Sequence, residues 1–244
     1  MADRETVLLE RGFVLHQRPY RNTSQLLECV TARHGRVGLV ARGSRAGGGR
    51  GSRRALLQPF TPLRLSWTRR GELGTLTDVE ADGSPVALAG DALLAAYYAN
   101  ELLLRLLARG DPNDAIHSCY SDCLSNLAAS PNVSRALRLF ELRLLRALGY
   151  GLELDHEIET GEPLRPEGRY LYDPEQGPRS ADDRVEDEHA YWGRELLALG
   201  REALDDEDSL KAARRLLGGI LKGHLGERPL KSREVLKDIV ARGL

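Results

Sequence analysis

The chain has 244 residues, of which 41% are hydrophobic and 29% charged, and its formal net charge is −1. This length and apolar content allow one large or two modest domains, each with a real core. Only three cysteines are present, Cys29, Cys119 and Cys123, which excludes a disulfide framework. The first residues carry acids where a secretory signal needs basic ones, and charges interrupt the longest apolar helical stretch. We therefore expect a cytoplasmic protein.

Five short segments in the first third of the chain alternate apolar and polar residues and end at turn residues. This pattern predicts strands at about 10–16, 25–31, 37–41, 63–68 and 73–79. Five short strands in about 80 residues suit a small closed or nearly closed barrel, because closure removes exposed sheet edges. The predicted fold class is α+β, with a five-stranded OB-like barrel at residues 1–82 and a helical domain at 85–244.

A glycine- and arginine-rich segment at residues 43–54 interrupts the predicted strands. Its five glycines make ordering costly, and it offers almost nothing to bury. We therefore predict a loop between two barrel strands. The segment lacks the Gly-Lys-Ser/Thr ending of a phosphate-binding P-loop, so nucleotide hydrolysis is not expected.

Charge is sorted into blocks along the chain. Residues 1–80, 81–150, 151–210 and 211–244 carry about +7, −1, −13 and +6. Residues 29–71 contain ten arginines and no acid, and so one-sided a surface favours a polyanion partner over a merely solvated face. The candidate contacts are Arg33, Arg36, Arg42, Arg45, Arg50, Arg53, Arg54 and Arg64. In the last block, Lys231 and Arg233 either extend this basic surface or pair with acids of the third block.

After residue 85 the apolar residues recur with a helical period. Helices are predicted at about 92–108, 114–128, 135–148, 193–203, 209–225 and 232–242. The intervening stretch from about 151 to 188 holds prolines, glycines and acids without periodicity, and we expect it to be an irregular insert. The C-terminal domain should otherwise be all-helical.

The helix predicted at 135–148 has two contrasting faces. The apolar stripe that should face the core consists of Leu137, Phe140, Leu144, Ala147 and Leu148. The opposite face mixes Arg135, Arg138 and Arg146 with Leu139 and Leu142. Such a face suits a peptide that carries acidic and apolar side chains. Alternatively, a second helix covers the two leucines while the arginines extend to solvent.

Signals for a metal or an active site are weak. Cys119, Cys123 and the nearby His117 could share one helix face, but no second ligand pair accompanies them, so buried structural cysteines are favoured over zinc. The contiguous acids at 182–188 are typical of a solvated face rather than of a metal-dependent nuclease. We expect a protein that is not an enzyme and needs no metal or other cofactor.

Several segments together resemble the RecO family of DNA repair proteins. They are GFVLHQRPYRNTSQLLECVTARHGRVGLVARGSR at 12–45, LQPFTPLRLSW at 57–67, NELLLRLL at 100–107, RLFELRLLRALGYGLEL at 138–154 and PLKSRE at 229–234. They follow one another in the family's order over nearly the whole chain. Many members carry a four-cysteine zinc module just after the segment that matches LGYGLEL. This chain has no cysteine there and is similar to the zinc-free branch.

The resemblance implies a recombination mediator with an N-terminal OB fold, in the cytoplasm and at the nucleoid. Such proteins bind single- and double-stranded DNA, anneal complementary strands without ATP, and act with RecR to load recombinase on DNA coated by single-stranded-DNA-binding protein (SSB). It also implies that the helical domain binds the acidic C-terminal tail of SSB. Arg138 is the principal candidate for that contact, with Arg135, Arg146, Leu139 and Leu142 as neighbours.

Arginines on a barrel and its loop would neutralise two phosphate backbones without reading sequence. Tyr20, Phe60 and Trp67 are candidates for base stacking, although the alternation around Trp67 favours a core position. Two other functions remain open. An RNA-binding OB protein would share the basic barrel, and a metal-dependent nuclease would need the acidic block as its site.

Overall fold

The computed structural model describes residues 4–45, 53–182, 190–226, 228 and 230–232. These residues form two compact units. The first unit contains the described residues up to Pro131 together with Leu230 to Ser232, and the second runs from Asn132 to Arg228. None of the described helices combines the length and apolarity needed to cross a lipid bilayer.

The first unit is built on a five-stranded sheet. Its strands are β1 (Glu5–Tyr20), β2 (Ser24–Thr31), β3 (Gly35–Ala41), β4 (Leu63–Arg69) and β5 (Leu73–Ala81), with a short helix α1 (Arg53–Leu56) between β3 and β4. The strands pair in the order β1-β2-β3-β5-β4, and β4 pairs back with β1, so that the sheet closes on itself. All pairs are antiparallel except β3 with β5. The predicted five-stranded N-terminal sheet is confirmed.

The long β1 strand closes the sheet because its two halves have different neighbours. Gly12 lies where the halves meet, opposite Thr31 of β2 and Leu63 of β4. A Cβ atom at this glycine would lie 2.6 Å from the Val30 carbonyl oxygen, so a side chain here would push the neighbouring strand away. The inward-facing residues of all five strands form one core, in which Leu27, Leu39, Leu65 and Trp67 are at most 1% exposed. The core position expected for Trp67 is confirmed.

Two helices, α2 (Gly90–Leu106) and α3 (Asp114–Ala129), also belong to the first unit. Asn100 of α2 donates its side-chain amide to the Leu15 carbonyl oxygen at 2.9 Å and accepts from the Tyr120 hydroxyl at 2.5 Å. Phe13 of β1 meets Tyr120 edge to face, with ring centroids 5.2 Å apart. The predicted boundary near residue 85 therefore marks where strands give way to helices, whereas the compact units divide about 46 residues later, between Pro131 and Asn132.

The described C-terminal residues return to the first unit. Glu101 of α2 accepts hydrogen bonds from the Lys231 and Ser232 amides, both at 2.9 Å, and from the Ser232 hydroxyl at 2.7 Å. Burial alone would raise the pKa of Glu101, but these hydrogen bonds outweigh it and the pKa lies below its ordinary value. Glu101 thereby caps the helical turn that begins at Lys231. The helix predicted at 232–242 falls outside the described residues after Ser232.

The second unit contains three helices and a small sheet. The helices are α4 (Val133–Ala147), α5 (Gly193–Gly200) and α6 (Glu207–Leu225), and the strands are β6 (Arg169–Asp173), β7 (Gly177–Ser180) and β8 (Tyr191–Trp192). The strands form an antiparallel sheet in the order β7-β6-β8. The prediction of a helical C-terminal region is confirmed, but the prediction that its insert is irregular is wrong, because β6 and β7 lie within that insert. The three strands have only two to five residues each, which is too short to show a clear alternating pattern.

The end of α4 follows its sequence signal. Gly149 has φ +85°, a conformation that is costly for residues with a Cβ atom. Its amide bonds to the Arg146 carbonyl oxygen, and the Tyr150 amide bonds to that of Leu145, both at 3.0 Å. This pair of bonds is a Schellman motif, which satisfies the last free carbonyls of the helix.

Candidate nucleic-acid interface

One end of the five-stranded sheet collects exposed arginines. The β1–β2 turn lies there, because Tyr20 pairs with Ser24. The end of β3 lies beside it, because Ala41 pairs with Gln25 and the Arg45 amide donates to the Thr23 carbonyl oxygen at 2.9 Å. This register brings together Arg18 and Arg21 from the turn and Arg42 and Arg45 from the residues that follow β3.

A chain of glutamine side chains attaches α1 to the same end. Gln25 donates to Gln17 at 2.6 Å, Gln17 donates to Gln58 at 2.9 Å, and Gln58 donates to the Arg54 carbonyl oxygen at 2.7 Å. Gln17 directly precedes Arg18 in β1, so Arg54 joins the same end of the sheet. We name this set the turn-end cluster; its members are Arg18, Arg21, Arg42, Arg45 and Arg54.

The turn-end cluster has no neutralising partner among the residues that the structure describes. All five arginines are exposed, and they take part in none of the ion pairs between described residues of this unit. The sequence contains no acid at residues 11–27 or 29–71. The Arg21 guanidinium lies 5.3 Å from the centre of the Tyr20 ring, which is the range of a cation–π contact. The uncompensated charge of five guanidinium groups makes this end a candidate site for an extended anion.

The other end of the sheet also carries arginines, but each has a carboxylate partner. Four acids supply these partners: Glu5, Glu10, Glu28 and Asp82. We name this set the paired-arginine end; its members are Arg11, Arg33, Arg36, Arg64, Arg69 and Arg109. Their charges are largely compensated locally, so they contribute much less to a far-reaching positive potential.

Arg36 illustrates the difference most clearly. Its Nε atom lies 2.9 Å from a Glu28 oxygen, and its terminal nitrogen donates to the Leu104 and Leu107 carbonyl oxygens at 2.5 and 3.1 Å. Arg109 bonds the same carboxylate. Burial would raise the pKa of Glu28, but the hydrogen bonds from Arg109 and Arg36 outweigh burial, and the net shift of the pKa is downward. With only 18% of its side chain exposed, Arg36 fastens the end of α2 to the sheet.

The remaining predicted DNA contacts fall into three groups. Arg33 and Arg64 are exposed but bonded to Glu10 and Asp82, at 3.3 and 2.8 Å. Arg53 donates to the Thr77 carbonyl oxygen at 2.8 Å, and Lys231 is an exposed residue whose amide bonds Glu101. Arg50 and Arg233 lie outside the described residues.

Two members of the turn-end cluster, Arg18 and Arg21, were not among the predicted contacts. The prediction considered only the stretch after Glu28, whereas the acid-free stretch in fact extends back to residue 11 apart from that one glutamate. Pairing 18–20 with 24–26 as a hairpin would have placed both arginines beside Arg42 and Arg45. Of the three aromatic candidates for stacking, Tyr20 is half-buried and next to the cluster, while Phe60 and Trp67 are buried.

The arginine and leucine face predicted on α4 is not open. Leu139 and Leu142 are 5% and 0% exposed, because α6 packs against α4 within the second unit. Arg138 is itself buried and lies 2.8 Å from the buried Glu141. The alternative in which another element covers the leucines matches this arrangement, and the predicted docking face is corrected in that respect.

The exposed margin of α4 is nonetheless strongly basic. Arg143 bonds Glu202 through two nitrogens, at 2.6 and 3.1 Å, and Arg146 lies 3.3 Å from the other oxygen of the same carboxylate. Arg135 lies 3.5 Å from Asp205. The hydrogen bonds from Arg143 are the main reason that the pKa of Glu202 lies below its ordinary value. Three arginines thus share two carboxylates.

Among the described residues, one group has side chains placed to share a metal ion. Glu153, Asp155 and His156 offer ligand atoms within 4.8 Å of one another, and all three are exposed. They lie where the zinc-bearing relatives would have their cysteines, but with three exposed ligands they do not make a closed structural zinc site. Cys119 and Cys123 are buried free thiols, as predicted.

Comparison with known proteins accounts for almost the whole chain. Residues 6–84 match the family model of the recombination protein O N terminus, and residues 88–234 match that of its C terminus. The chain is 46% identical to the DNA repair protein RecO of Methylococcus capsulatus over 236 residues, which cover 97% of this chain and 96% of the relative. It is 48% identical to the RecO protein of Nitrosococcus oceani, over 96% of this chain and 94% of the relative.

A third relative, the DNA repair protein RecO of Haemophilus influenzae, is 44% identical over 93% of this chain and 94% of its own length. Both family models match in the expected order, and the relatives are matched over nearly their full length. The recombination and repair role suggested by the sequence resemblance is therefore confirmed. The chain belongs to the RecO family of DNA repair proteins.

Proposed function

We propose that this chain binds single- and double-stranded DNA without sequence preference through the turn-end cluster, and that it anneals complementary strands without a nucleotide. One observation carries the proposal: five exposed arginines gather at one end of a closed sheet, and none pairs with a carboxylate among the described residues. One guanidinium group can donate two parallel hydrogen bonds to a phosphate, which suits arginine to hold a sugar-phosphate backbone. The closed five-stranded topology and the proposed nucleic-acid ligand together support our assignment of this sheet to the OB class.

Annealing requires that two like-charged backbones approach each other while their base edges stay free to pair. Arginines that hold phosphates supply the first condition and leave the bases unread. Among the ring contacts of the described residues, the one that involves a member of the cluster is that of Arg21 with the half-buried Tyr20, and a single such ring does not form a stacking platform for the bases. The arrangement favours a loose, exchangeable complex over a sequence-specific one.

Membership of the RecO family supports a wider role for this DNA contact. We propose that the chain acts with RecR to promote recombinase loading on SSB-coated DNA, in the cytoplasm and at the nucleoid. The acidic tail of SSB is assigned to the margin of α4, where its carboxylates would replace Glu202 and Asp205 as partners of Arg135, Arg143 and Arg146. The buried residues of α4 then support the tail site indirectly, because they fix the position of the helix; they are Arg138, Leu139 and Leu142.

The decisive experiment compares two quadruple variants with equal loss of charge. Changing Arg18, Arg42, Arg45 and Arg54 to alanine removes four members of the turn-end cluster. Changing Arg11, Arg33, Arg64 and Arg69 to alanine gives the paired-end variant, in which four members of the paired-arginine end that already have carboxylate partners are removed. Circular dichroism first establishes that both variants are folded.

We expect the turn-end cluster to contribute about −3.5 to the log-log salt slope of single-strand binding, from five phosphates at about −0.7 each. In the turn-end variant this contribution should fall to about −0.7 and annealing of SSB-coated oligonucleotides should be lost, whereas the paired-end variant should keep both. Equal slopes for the two variants would reject the site. Competition by unstructured RNA that abolishes annealing would favour an RNA-binding role, and cleavage of labelled DNA with magnesium or manganese would favour a nuclease.

A further inference from the structure

A second cationic site lies on the small sheet of the second unit, around Trp192. This tryptophan is half-buried at the end of β8. The Arg194 guanidinium lies 4.8 Å from the centre of its ring and that of Arg169 lies 5.9 Å from it. Both distances are within the range of a cation–π contact. The indole therefore already forms the base of a stack of flat, positively charged groups.

Positive charge is concentrated at this site against the trend of the surrounding sequence. Residues 151–210 contain nineteen acids and only six arginines, yet three of the six, Arg165, Arg169 and Arg194, lie around Trp192. Arg215 of α6 adds a fourth, and its guanidinium lies 4.2 Å from the centre of the neighbouring Tyr191 ring. Four arginines therefore lie beside two aromatic rings, although the surrounding sequence is mostly acidic.

The backbone around Trp192 is held firmly. The Gly193 amide donates to the Gly168 carbonyl oxygen at 2.8 Å, and the Arg194 amide donates to that of Pro166 at 2.9 Å. A Cβ atom at Gly193 would lie 2.0 Å from the Arg165 carbonyl oxygen, so only glycine permits this approach of the two segments. The backbone that carries these arginines is thus preorganised for binding.

Trp192 lies between two pockets of the second unit. The larger has a volume of about 370 Å³ and is lined by the basic side chains of Arg165 and Arg169 together with Tyr170 and Ser180. The smaller has a volume of about 180 Å³ and includes Tyr191, Glu195 and Arg215. The larger pocket falls within the size range of small-ligand sites, roughly 300–1,000 Å³.

Within the part of the chain that the structure describes, two carboxylates line the two pockets, those of Glu167 and Glu195, and four arginines lie around them. Glu195 lines the smaller pocket, but one of its oxygens accepts the Trp192 amide at 2.9 Å and so helps to begin α5. Glu167 is exposed beside the larger pocket. The site therefore places several guanidinium groups around a flat aromatic ring, which is the combination that single-stranded nucleic acids meet in their binding grooves.

We infer that the Trp192 site binds a segment of single-stranded nucleic acid. One base stacks with the indole and the Arg169 guanidinium, and Arg165 and Arg194 bind the adjoining phosphates. This inference shares its ligand with the proposed function but none of its residues. It goes beyond that function because the turn-end cluster holds backbones only, whereas this site engages a base. A nucleic acid would use both the arginines and the indole, whereas an acidic peptide would use the arginines alone.

The chain contains only two tryptophans, which makes the test direct. Trp67 is 1% exposed in the core of the first unit, so a Trp67→Phe variant leaves Trp192 as the only indole emitter. Oligo(dT) carrying a terminal fluorophore is titrated into this variant. Anisotropy of the fluorophore reports total binding, and indole emission reports the Trp192 site. If Trp67→Phe does not fold, the difference in emission between the wild type and Trp192→Phe gives the same information.

We expect the indole emission to fall in parallel with the rise in anisotropy. Trp192→Ala should weaken oligo(dT) binding about 5-fold or more, as loss of one stacked base does, while Trp192→Phe should retain most of the affinity. Arg165→Ala combined with Arg194→Ala should weaken binding and flatten the salt slope by about 1.4. Arg201→Ala, which removes an exposed arginine of the same unit outside the two pockets, should have no effect.

The outcomes separate this inference from the proposed function. Binding without a change in indole emission, with the Trp192→Ala affinity unaltered, overturns the inference and leaves the turn-end cluster in place. Quenching that persists when the turn-end variant loses annealing supports the Trp192 site by itself. Quenching by an acidic peptide but not by oligo(dT) overturns the assignment to nucleic acid, and a protein that binds no oligo(dT) at all overturns both.

Discussion

Both ends of the five-stranded sheet carry arginines, but the arginines at the two ends have different surroundings. At the turn end, five exposed arginines lie in stretches of sequence that supply no acid, and their charges add. At the paired-arginine end, Glu5, Glu10, Glu28 and Asp82 each hold one or more guanidinium groups. An arginine is therefore available to a ligand or held by the fold according to its carboxylate neighbours. The number of arginines in a segment does not by itself identify a binding surface.

The largest effect is expected from removing the acid that two arginines share. Glu28→Ala leaves Arg36 and Arg109 without their carboxylate, in a site where only 12% of the Glu28 side chain is exposed. Breaking such a pair on one side should lower the free energy of unfolding by about 2–4 kcal/mol. Urea denaturation measures this loss. Glu80→Ala, at an exposed acid of the same sheet, is the control, and a change below about 0.5 kcal/mol for Glu28→Ala would show that the pair is not structural.

The same carboxylate should make stability depend on pH. Because the pKa of folded Glu28 lies below its ordinary value of 4.5, the folded state binds its proton less readily than the unfolded state does. The stabilisation is present above the ordinary pKa and is lost as the pH falls through the lower folded pKa. Denaturation of the wild type between about pH 7 and pH 3 should therefore show a steeper acid loss than Glu28→Gln. Parallel curves for the two proteins would contradict this.

An intermediate effect is expected when the paired-arginine end is made to resemble the turn end. Asp82 lies 2.8 Å from Arg64 and 3.5 Å from Arg11. Asp82→Asn keeps the shape of the side chain but frees both guanidinium groups. The salt slope of single-strand binding should become more negative by up to about 1.4, which corresponds to two phosphate contacts. An unchanged slope would show that position on the sheet, rather than pairing, decides which arginines meet DNA.

The smallest effect should come from an exposed but paired arginine. Arg33 has 79% of its side chain exposed and a partner in the buried Glu10. Arg33→Ala should change DNA affinity less than twofold, whereas Arg42→Ala, an equally simple truncation in the turn-end cluster, should weaken binding severalfold and flatten the salt slope by about 0.7. Fluorescence anisotropy with a labelled oligonucleotide measures both. A larger loss for Arg33→Ala than for Arg42→Ala would reverse the assignment of the two ends.

The local elements were predictable because their signals are local. Alternation located the five strands, and the helical period located α2 to α6, with ends that mostly agree to within a few residues. The arginines held by carboxylates were not predictable in the same way. Glu28 and Arg109 are 81 residues apart, and their contact exists only after α2 and the sheet have packed together.

The prediction that α4 has an open arginine and leucine face was wrong for a related reason. A helical wheel shows which residues share a face, but it does not show how many neighbouring elements a helix has. Leu139 and Leu142 are buried although they lie outside the predicted apolar stripe, and α6 packs against α4 in the folded unit. The basic site at Trp192 was not evident from the sequence, because three of its arginines are dispersed in an acidic block, the fourth, Arg215, lies beyond that block, and all four meet only in the folded unit.

The hydrogen bonds between Glu101 and residues 231–232 bear on how the molecule is made. A ribosome adds Ser232 131 residues after Glu101, and the whole second unit is synthesised in the interval. The second unit is therefore complete before the first unit acquires its last contacts. Until translation reaches residues 231–232, the Glu101 carboxylate lacks these hydrogen-bond donors, and the first unit is without a segment that is made only after all of the second unit.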